Sequence, residues 1–378
     1  MVVAILTADC HVQRRAWLKR PELHGDAYYS FRQVVDLALR HRVPIIAAGD
    51  LIDRRINDQH PIAFLREQLG RLAEAGLRIY HVQGQHEWQE YPWLDSICPE
   101  AAVWLPPRGL LEIGPFQVYG IDWTPASQLP EKLAQVPDET DVLVLHQVYS
   151  SFSPSPAAEL RPEQLPDVRL ALIGDTHVTG MLTEVNGNGN QVVTVSPGSL
   201  AMQAIDEPGN KYVFLLNDDG SLEKVKLRTR AVLRQQAIRD VPSMMTFLQK
   251  LDRVLDELQE RNRDLPEELR MPILHIAYDA SLPDVRERLL QVTDGKVHLF
   301  EKDLSEKAEA EAANAAAQRQ ELLSAGLFGC LEKLHASKGY PPEVLEYAQE
   351  LLRNPSMTVI GAWRRRIVDA EQNAAVEE

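Results

Sequence analysis

The sequence predicts an α/β protein: a strand-rich sandwich flanked by helices, then a small α+β domain, then a helical tail. Three observations carry this. Up to about residue 230, short apolar runs alternate with helical periodicity. Several runs are apolar on both faces, as strands buried between two layers are. Near residue 233 the pattern resets, and the expected boundaries are 1–232, 233–303 and 304–378.

In chain order, "VVAILTA", "VPIIAAGD", "LRIYHVQG", "FQVYGIDW", "DVLVLHQ" and "VRLALIGD" read as strands. Helices fit "AYYSFRQVVDLALRH" and "HPIAFLREQLGRLAEAG", the second closed by Gly76. After Asp175 come "MLTEV", "QVVTVS", "KYVFLLND" and "LEKVKLRT", separated by Gly- and Asn-rich turns, which predicts an antiparallel meander. The small domain reads as a helix over "SMMTFLQKLDRVLDELQERN", a strand "ILHIAYDA", a helix "DVRERLLQV" and a strand "KVHLF". The tail is Ala-rich and helical, with Leu323, Leu327, Leu331 and Leu334 on one stripe and a basic "WRRR" at Trp363 to Arg366.

At 378 residues the chain has length for more than one core. No apolar run approaches the ~18 residues of a membrane helix, and the first residues lack a secretory pattern, so a cytoplasmic protein without membrane attachment is expected. The three scattered cysteines, Cys10, Cys98 and Cys330, argue against a disulfide framework and against a Cys-based zinc site. A net charge of −15 repels polyanions as a whole, so nucleic-acid binding would need a local basic patch, bound metals or a partner.

In α/β sheets ligands bind beyond the carboxyl ends of the strands, so the residues ending each apolar run matter most. Those residues are Asp9 and His11 in "ADCH", Asp50 in "GDLID", Gln85, His86 and Glu87 in "GQHE", His146 in "LHQ", and Asp175 and His177 in "GDTH". Carboxylate, imidazole and amide oxygen suit divalent Mn²⁺, Mg²⁺, Fe²⁺ or Zn²⁺. One such residue at a strand end means little, but five strand ends bearing them point to a metal centre. An extended D-x-H would place both side chains on one side of the strand and Cys10 on the other, in the core.

In that order the motifs resemble those of the calcineurin-like metallophosphoesterase superfamily: D-x-H, G-D-x-x-D, G-N-H-[DE], a lone His and G-H-x-H. The resemblance covers roughly residues 1 to 200. It implies two divalent metal ions, with Asp9, His11 and His177 on the first, Asp50 bridging, and Gln85, His146 and Asp175 on the second. It also implies that His86 faces the phosphate and protonates or stabilises the leaving 3′ oxygen, with Glu87 orienting it. Two positions depart from the pattern: Gln85 stands for Asn, and Asp175 for His. The added carboxylate favours Mn²⁺, with Mg²⁺ as the alternative, over Zn²⁺.

The segment "VTVSPGSLAMQAIDE" is similar to the Pro-Gly-Ser segment of SbcD-type nuclease subunits, and an α+β module followed by helices resembles their capping domain and ATPase-docking tail. This implies a DNA exonuclease and endonuclease acting with an SbcC-like coiled-coil ATPase in DNA repair or recombination, and leaves room for a homodimer. Arg14, Arg15, Lys19 and Arg20 after the first motif, and Arg54 and Arg55 after the second, are placed to hold flanking phosphates, although solvated surface explains them equally. The rival readings are a phosphatase or small-molecule phosphodiesterase, and a metal-impaired scaffold.

Overall fold

The computed structural model describes residues 1–12, 20–53, 59–154, 158–205 and 207–305, with isolated positions beyond. The tail stripe, the "WRRR" segment and Cys330 lie outside the described residues. The elements are β1 (Val2–Thr7), α1 (His24–His41), β2 (Ile45–Ala48), α2 (Gln59–Glu74), β3 (Ile79–Val82), α3 (Trp93–Ile97), β4 (Ala102–Trp104), β5 (Leu111–Ile113), β6 (Phe116–Ile121), α4 (Leu129–Leu133), β7 (Val142–His146) and β8 (Leu170–Gly174). They continue with β9 (Gly180–Val185), β10 (Gln191–Ser196), β11 (Tyr212–Asn217), β12 (Leu222–Lys226), β13 (Val232–Ile238), α5 (Val241–Asn262), β14 (Ile273–Tyr278), α6 (Val285–Thr293) and β15 (His298–Asp303).

Two six-stranded sheets form the sandwich, in the orders β12-β11-β1-β2-β3-β4 and β5-β6-β7-β8-β10-β9. Period-two alternation explains the three apolar layers. On β2, Ile46 and Ala48 join Leu6, Val144 and Leu172 between the sheets. Ile45 and Ala47, on the opposite face, join Phe31, Val35, Leu65 and Leu69 of α1 and α2. On β7 and β8, Leu143, Leu145, Ala171 and Ile173 pack outward against Leu129, Tyr149 and Phe152. Strands β2, β7 and β8 therefore bury both faces, at roughly 1.5–3 kcal/mol per large apolar side chain.

Strands β1, β2, β3 and β4 run parallel, as do β6, β7, β8 and β10. The carboxyl ends of β1, β2 and β3, and those of β7 and β8, therefore each gather at one edge of their sheet. Gly76 ends α2 with φ +70°, and the Leu77 N–H returns to the Leu72 carbonyl at 2.8 Å.

The expected single meander is corrected. β9 pairs antiparallel with β10, but β10 joins β8 in parallel, while β11 crosses to the other sheet and pairs antiparallel with β1. The four strands are two hairpins on two sheets. Each hairpin closes one sheet beside its parallel strands, where its apolar residues find a layer to bury against.

Two compact units emerge, the first comprising Met1–Gln236, Val241–Ile276 and Asp284–Lys302, and the second Ala237–Asp240, Ala277–Pro283 and Asp303–Glu378. Within the first, α5 buries Met244, Leu248, Leu251, Leu255 and Leu258, a stripe at helical spacing. Asn262 ends that helix in place: its side chain accepts from the Ala231 N–H at 2.9 Å and donates to the Arg270 carbonyl at 3.0 Å. Within the second, the Leu304 N–H reaches the Tyr278 carbonyl at 2.8 Å. Among the described residues no helix is long and apolar enough to cross a membrane.

Candidate metal centre

The backbone leaves the sheets abruptly where the motifs stand. Asp9, His11, Asp50, Asp175 and His177 all have positive φ, at 50°, 47°, 51°, 78° and 52°. The D-x-H tripeptides are therefore left-handed turns beyond the strands, not extended chain, which corrects the expected alternation. Each such conformation costs about 1–3 kcal/mol at a non-glycine residue and persists only where its surroundings enforce it. Here the Asp9 N–H donates to the Gly49 carbonyl at 3.0 Å, the His11 N–H to the Asp50 carbonyl at 2.9 Å, and the Asp175 N–H to both Asp9 carboxylate oxygens at 3.1 Å. Cys10 is buried in the core as expected, through the turn rather than through alternation.

Two glycines make room for this edge. Gly49 adopts φ +80°, and a Cβ there would stand 2.6 Å from His146 Nδ1; a Cβ on Gly84 would stand 2.1 Å from Asp50 Oδ1. Only glycine fits at either position.

The imidazoles and carboxylates converge. His11 Nε2 and His177 Nε2 face each other at 3.0 Å, and each lies near Asp9 Oδ1, at 4.0 Å and 3.8 Å. Asp50 Oδ2 lies 3.8 Å from His11 Nε2 and 3.3 Å from His146 Nε2, so it reaches toward both halves of the centre. Two groups of ligand atoms, Asp9 with His11 and His177, and Asp9 with Asp50 and His146, each fall within 4.8 Å. Asp9 belongs to both groups.

These residues fit divalent cations. Asp50 Oδ2, His146 Nε2 and Gln85 Oε1 are buried without a hydrogen-bond partner among the described residues, a costly state unless a cation sits before them. The His146 Nδ1–H donates to the Ala48 carbonyl at 2.7 Å, which fixes the tautomer with Nε2 toward Asp50. Burial pushes the Asp9 carboxyl up to about 6 against the pull of His146 and His177. Burial also acts to raise Asp50, but His146, His11 and His86 hold it well below the usual carboxylate range. His146 is held well above the ordinary imidazole value because the Asp50 carboxylate outweighs its burial.

His86 stands at the rim, with its N–H donating to Asp50 Oδ1 at 3.0 Å and its Nε2 3.9 Å from Asp50 Oδ2. Its Nδ1 lies 3.1 Å from Asp53 Oδ1, and Asp53 also stands 3.9 Å from His11 Nδ1. The carboxylate beside His86 is therefore that of Asp53, the last residue of "GDLID". Glu87 accepts instead from the Ile52 N–H at 3.1 Å and the Gly84 N–H at 3.4 Å, and burial pushes it up to about 8. It ties two motif loops together.

Gln85 and Asp175 meet: Gln85 Nε2 donates to Asp175 Oδ1 at 2.7 Å, and that oxygen lies 3.8 Å from His146 Nε2. His177 Nδ1–H donates to Glu207 Oε1 at 2.9 Å, while Glu207 Oε2 accepts from Lys211 Nζ and Ser199 Oγ, each at 2.9 Å. Burial would raise the Glu207 carboxyl, but His177 and Lys211 hold it at about 2. Sequence reasoning missed Asp53 and Glu207. The second Asp of G-D-x-x-D was a signal for Asp53, whereas nothing marks Glu207, 30 residues beyond its partner.

Arg14, Arg15, Lys19, Arg54 and Arg55 lie outside the described residues. Arg20 is spent on packing: it donates to the Leu299 carbonyl at 3.1 Å and its guanidinium lies 4.4 Å from the Phe300 ring centroid.

Comparison with known proteins finds relatives of this chain. Over 253 residues, 62% of its length, the chain is 22% identical to the "Uncharacterized metallophosphoesterase YhaO" of Bacillus subtilis. Over 184 residues, 45% of its length, it is 28% identical to the "DNA double-strand break repair protein Mre11" of Methanosarcina mazei. The chain spans 61% of the first relative and 30% of the second. Residues 3–179 match the calcineurin-like phosphoesterase family, a stretch that begins in β1 and ends just past His177. The strand-end turns from Asp9 to His177 thus all lie within the stretch that is similar to the calcineurin-like phosphoesterase family.

Proposed function

We propose that this chain is a Mn²⁺-dependent DNA nuclease, cleaving phosphodiester bonds as the nuclease subunit of a complex with an SbcC-like ATPase. The observation that supports it most is the paired ligand set, Asp9 with His11 and His177 and Asp9 with Asp50 and His146, beside a partly buried His86. The similarity to a DNA double-strand break repair protein of Methanosarcina mazei supports DNA over a small phosphoester.

Asp9, His11, Asp50, His146 and His177 would hold two divalent ions, with Gln85 and Asp175 completing the second. When bound, such ions supply Lewis acidity toward a phosphoryl oxygen and a nucleophilic hydroxide at neutral pH. His86 then stands where it can give a proton to the departing oxygen, with Asp53 against its other nitrogen. Glu207 fixes the His177 tautomer so that Nε2 faces inward. The α+β module over 233–303 would cap the substrate, the tail would dock the ATPase, and the complex would work in the cytoplasm. The oxygen-rich ligand set favours Mn²⁺ or Mg²⁺.

The test is incubation of the purified chain with labelled DNA in Mn²⁺, alone and with its ATPase partner. Cleavage is expected. Hydrolysis of a small phosphomonoester with no DNA cleavage in either condition would make the chain a phosphatase instead.

A further inference from the structure

Asp175 and Glu159 bring negative charge to the edge at which a phosphoester would bind. Asp175 is the carboxylate that stands for the superfamily's His: Gln85 Nε2 holds its Oδ1 at 2.7 Å, and the same oxygen lies 3.8 Å from His146 Nε2. An amide donor orients a carboxylate without cancelling its charge. Against two divalent ions, the carboxylates of Asp9, Asp50 and Asp175 leave the centre a single net positive charge, where a His at position 175 would leave it two.

Glu159 adds a further carboxylate at this edge, from the loop that follows β7. Its backbone N–H donates to the Val148 carbonyl at 2.9 Å, and its Oε2 accepts from the Val148 N–H at 3.3 Å. Backbone and side chain are thus both tied to a residue two positions past His146, and a bridge between Tyr149 and Leu160 keeps the two stretches side by side. Trp123, two positions past the end of β6, donates to the same carboxylate. Glu159 therefore stands where β6 and β7 end, beside the motif residue of each neighbouring turn. Burial pushes its carboxyl up, and Asp175 adds to that push while His146 opposes it, so the three groups share one field.

A phosphomonoester carries a charge of about −1.5 to −2 at neutral pH, and a phosphodiester carries a single one. A fixed carboxylate beside the phosphate therefore repels the monoester about twice as strongly. Like charge set against the wrong ligand is a means of specificity. We propose that Glu159 and Asp175 form an acidic wall that selects singly charged phosphodiesters over doubly charged phosphomonoesters. This deepens the proposed function and rests on its phosphoester chemistry, not on DNA as the substrate.

The experiment compares hydrolysis of bis(p-nitrophenyl) phosphate and p-nitrophenyl phosphate by the Mn²⁺-loaded full chain at about pH 8, where ordinary carboxylates are ionised. Wild type, Glu159→Gln and Asp175→Asn are measured, each with its metal content per chain. Glutamine at 159 keeps an acceptor for the Val148 N–H and removes only the charge. In Glu159→Gln, kcat/KM for the monoester relative to the diester should rise about tenfold, and in Asp175→Asn it should move the same way. A second readout needs no turnover: Mn²⁺ broadens the phosphorus resonance of a ligand bound beside it, so titration gives Kd for inorganic phosphate and for dimethyl phosphate. Inorganic phosphate alone should bind more tightly in Glu159→Gln, and this arm decides if neither ester is hydrolysed. A merely structural role for Glu159 would lower both rates together; an unchanged ratio with unchanged phosphate affinity, or a wild type that prefers the monoester, overturns the proposal. Diester hydrolysis without DNA cleavage would end the nuclease reading and leave the charge selection standing.

Discussion

Gln85 Nε2 donates to Asp175 Oδ1 at 2.7 Å, so the two positions at which this chain departs from the superfamily's motifs touch each other. The longer amide reaches the added carboxylate and holds it beside His146. The two departures form one coupled unit, and groups sharing a hydrogen bond respond non-additively to mutation.

Gln85→Asn shortens that reach. We expect it to lower metal occupancy in the wild-type background and to have a smaller effect in Asp175→His, with a coupling of about 0.5–3 kcal/mol. Asp175→His alone should retain cleavage while shifting preference toward Zn²⁺. Metal content per chain and hydrolysis rates in Mn²⁺ and Zn²⁺ decide it; additive effects would show that the two residues act independently.

Glu207→Gln keeps the side chain's shape but weakens its hold on His177 Nδ1–H. A loss of roughly 10–100-fold in metal affinity is expected, read by competition with a chelating dye. Since Glu207 also faces the buried Lys211 ammonium, the variant should lose thermal stability even without metal. Wild-type metal affinity in a folded variant would remove Glu207 from the centre.

Metal removal should reverse the pH dependence of stability. In the metal-free chain Asp9 (about 6), Glu87 (about 8) and His146 all have folded pKa values above their ordinary ones. The folded state then holds protons that the unfolded state has released, so stability falls as pH rises from about 5 to 8, at up to ~1.4 kcal/mol per group per unit. Asp50, held low, contributes a constant gain over this window. With metal, ligand deprotonation favours binding, and stability rises with pH instead. Urea unfolding at pH 5 and pH 8, with and without EDTA, measures this; the same slope in both conditions would count against metal at these residues.

Arg230 is anchored by Asp26 at 3.1 Å and by the carbonyls of Glu22, Met271 and Glu268. Asp26→Ala leaves a buried guanidinium without its counter-charge, at an expected cost of about 3–5 kcal/mol in urea unfolding. A cost below about 1 kcal/mol would mean that the carbonyls alone suffice.

The strand-end chemistry was legible because apolar runs ending in Asp or His are visible without pairing information, and parallel strands gather their ends at one edge. The pairing itself was not. β10 and β11 are separated by turn residues like those of any hairpin, and only the layers available for burial send them to different sheets. Three-residue strands such as β4 and β5 carry too few residues for periodicity to register. Asp53 is marked as the second Asp of G-D-x-x-D, but the spacing does not say that it stands against His86. Glu207 escaped for a different reason: its role comes from a contact across loops at His177, and no sequence spacing encodes it.

The positive φ angles at Asp9, His11, Asp50, Asp175 and His177 restrict the alphabet available to this edge. Among side-chain-bearing residues, Asp, Asn and His enter the left-handed region most readily, and these are also metal-binding types. A backbone that turns this way filters substitutions before any metal does: β-branched and bulky residues strain the chain, whereas an exchange of His for Asp leaves its path intact. Position 175 holds Asp where the superfamily pattern has His, one of the few exchanges such a turn admits.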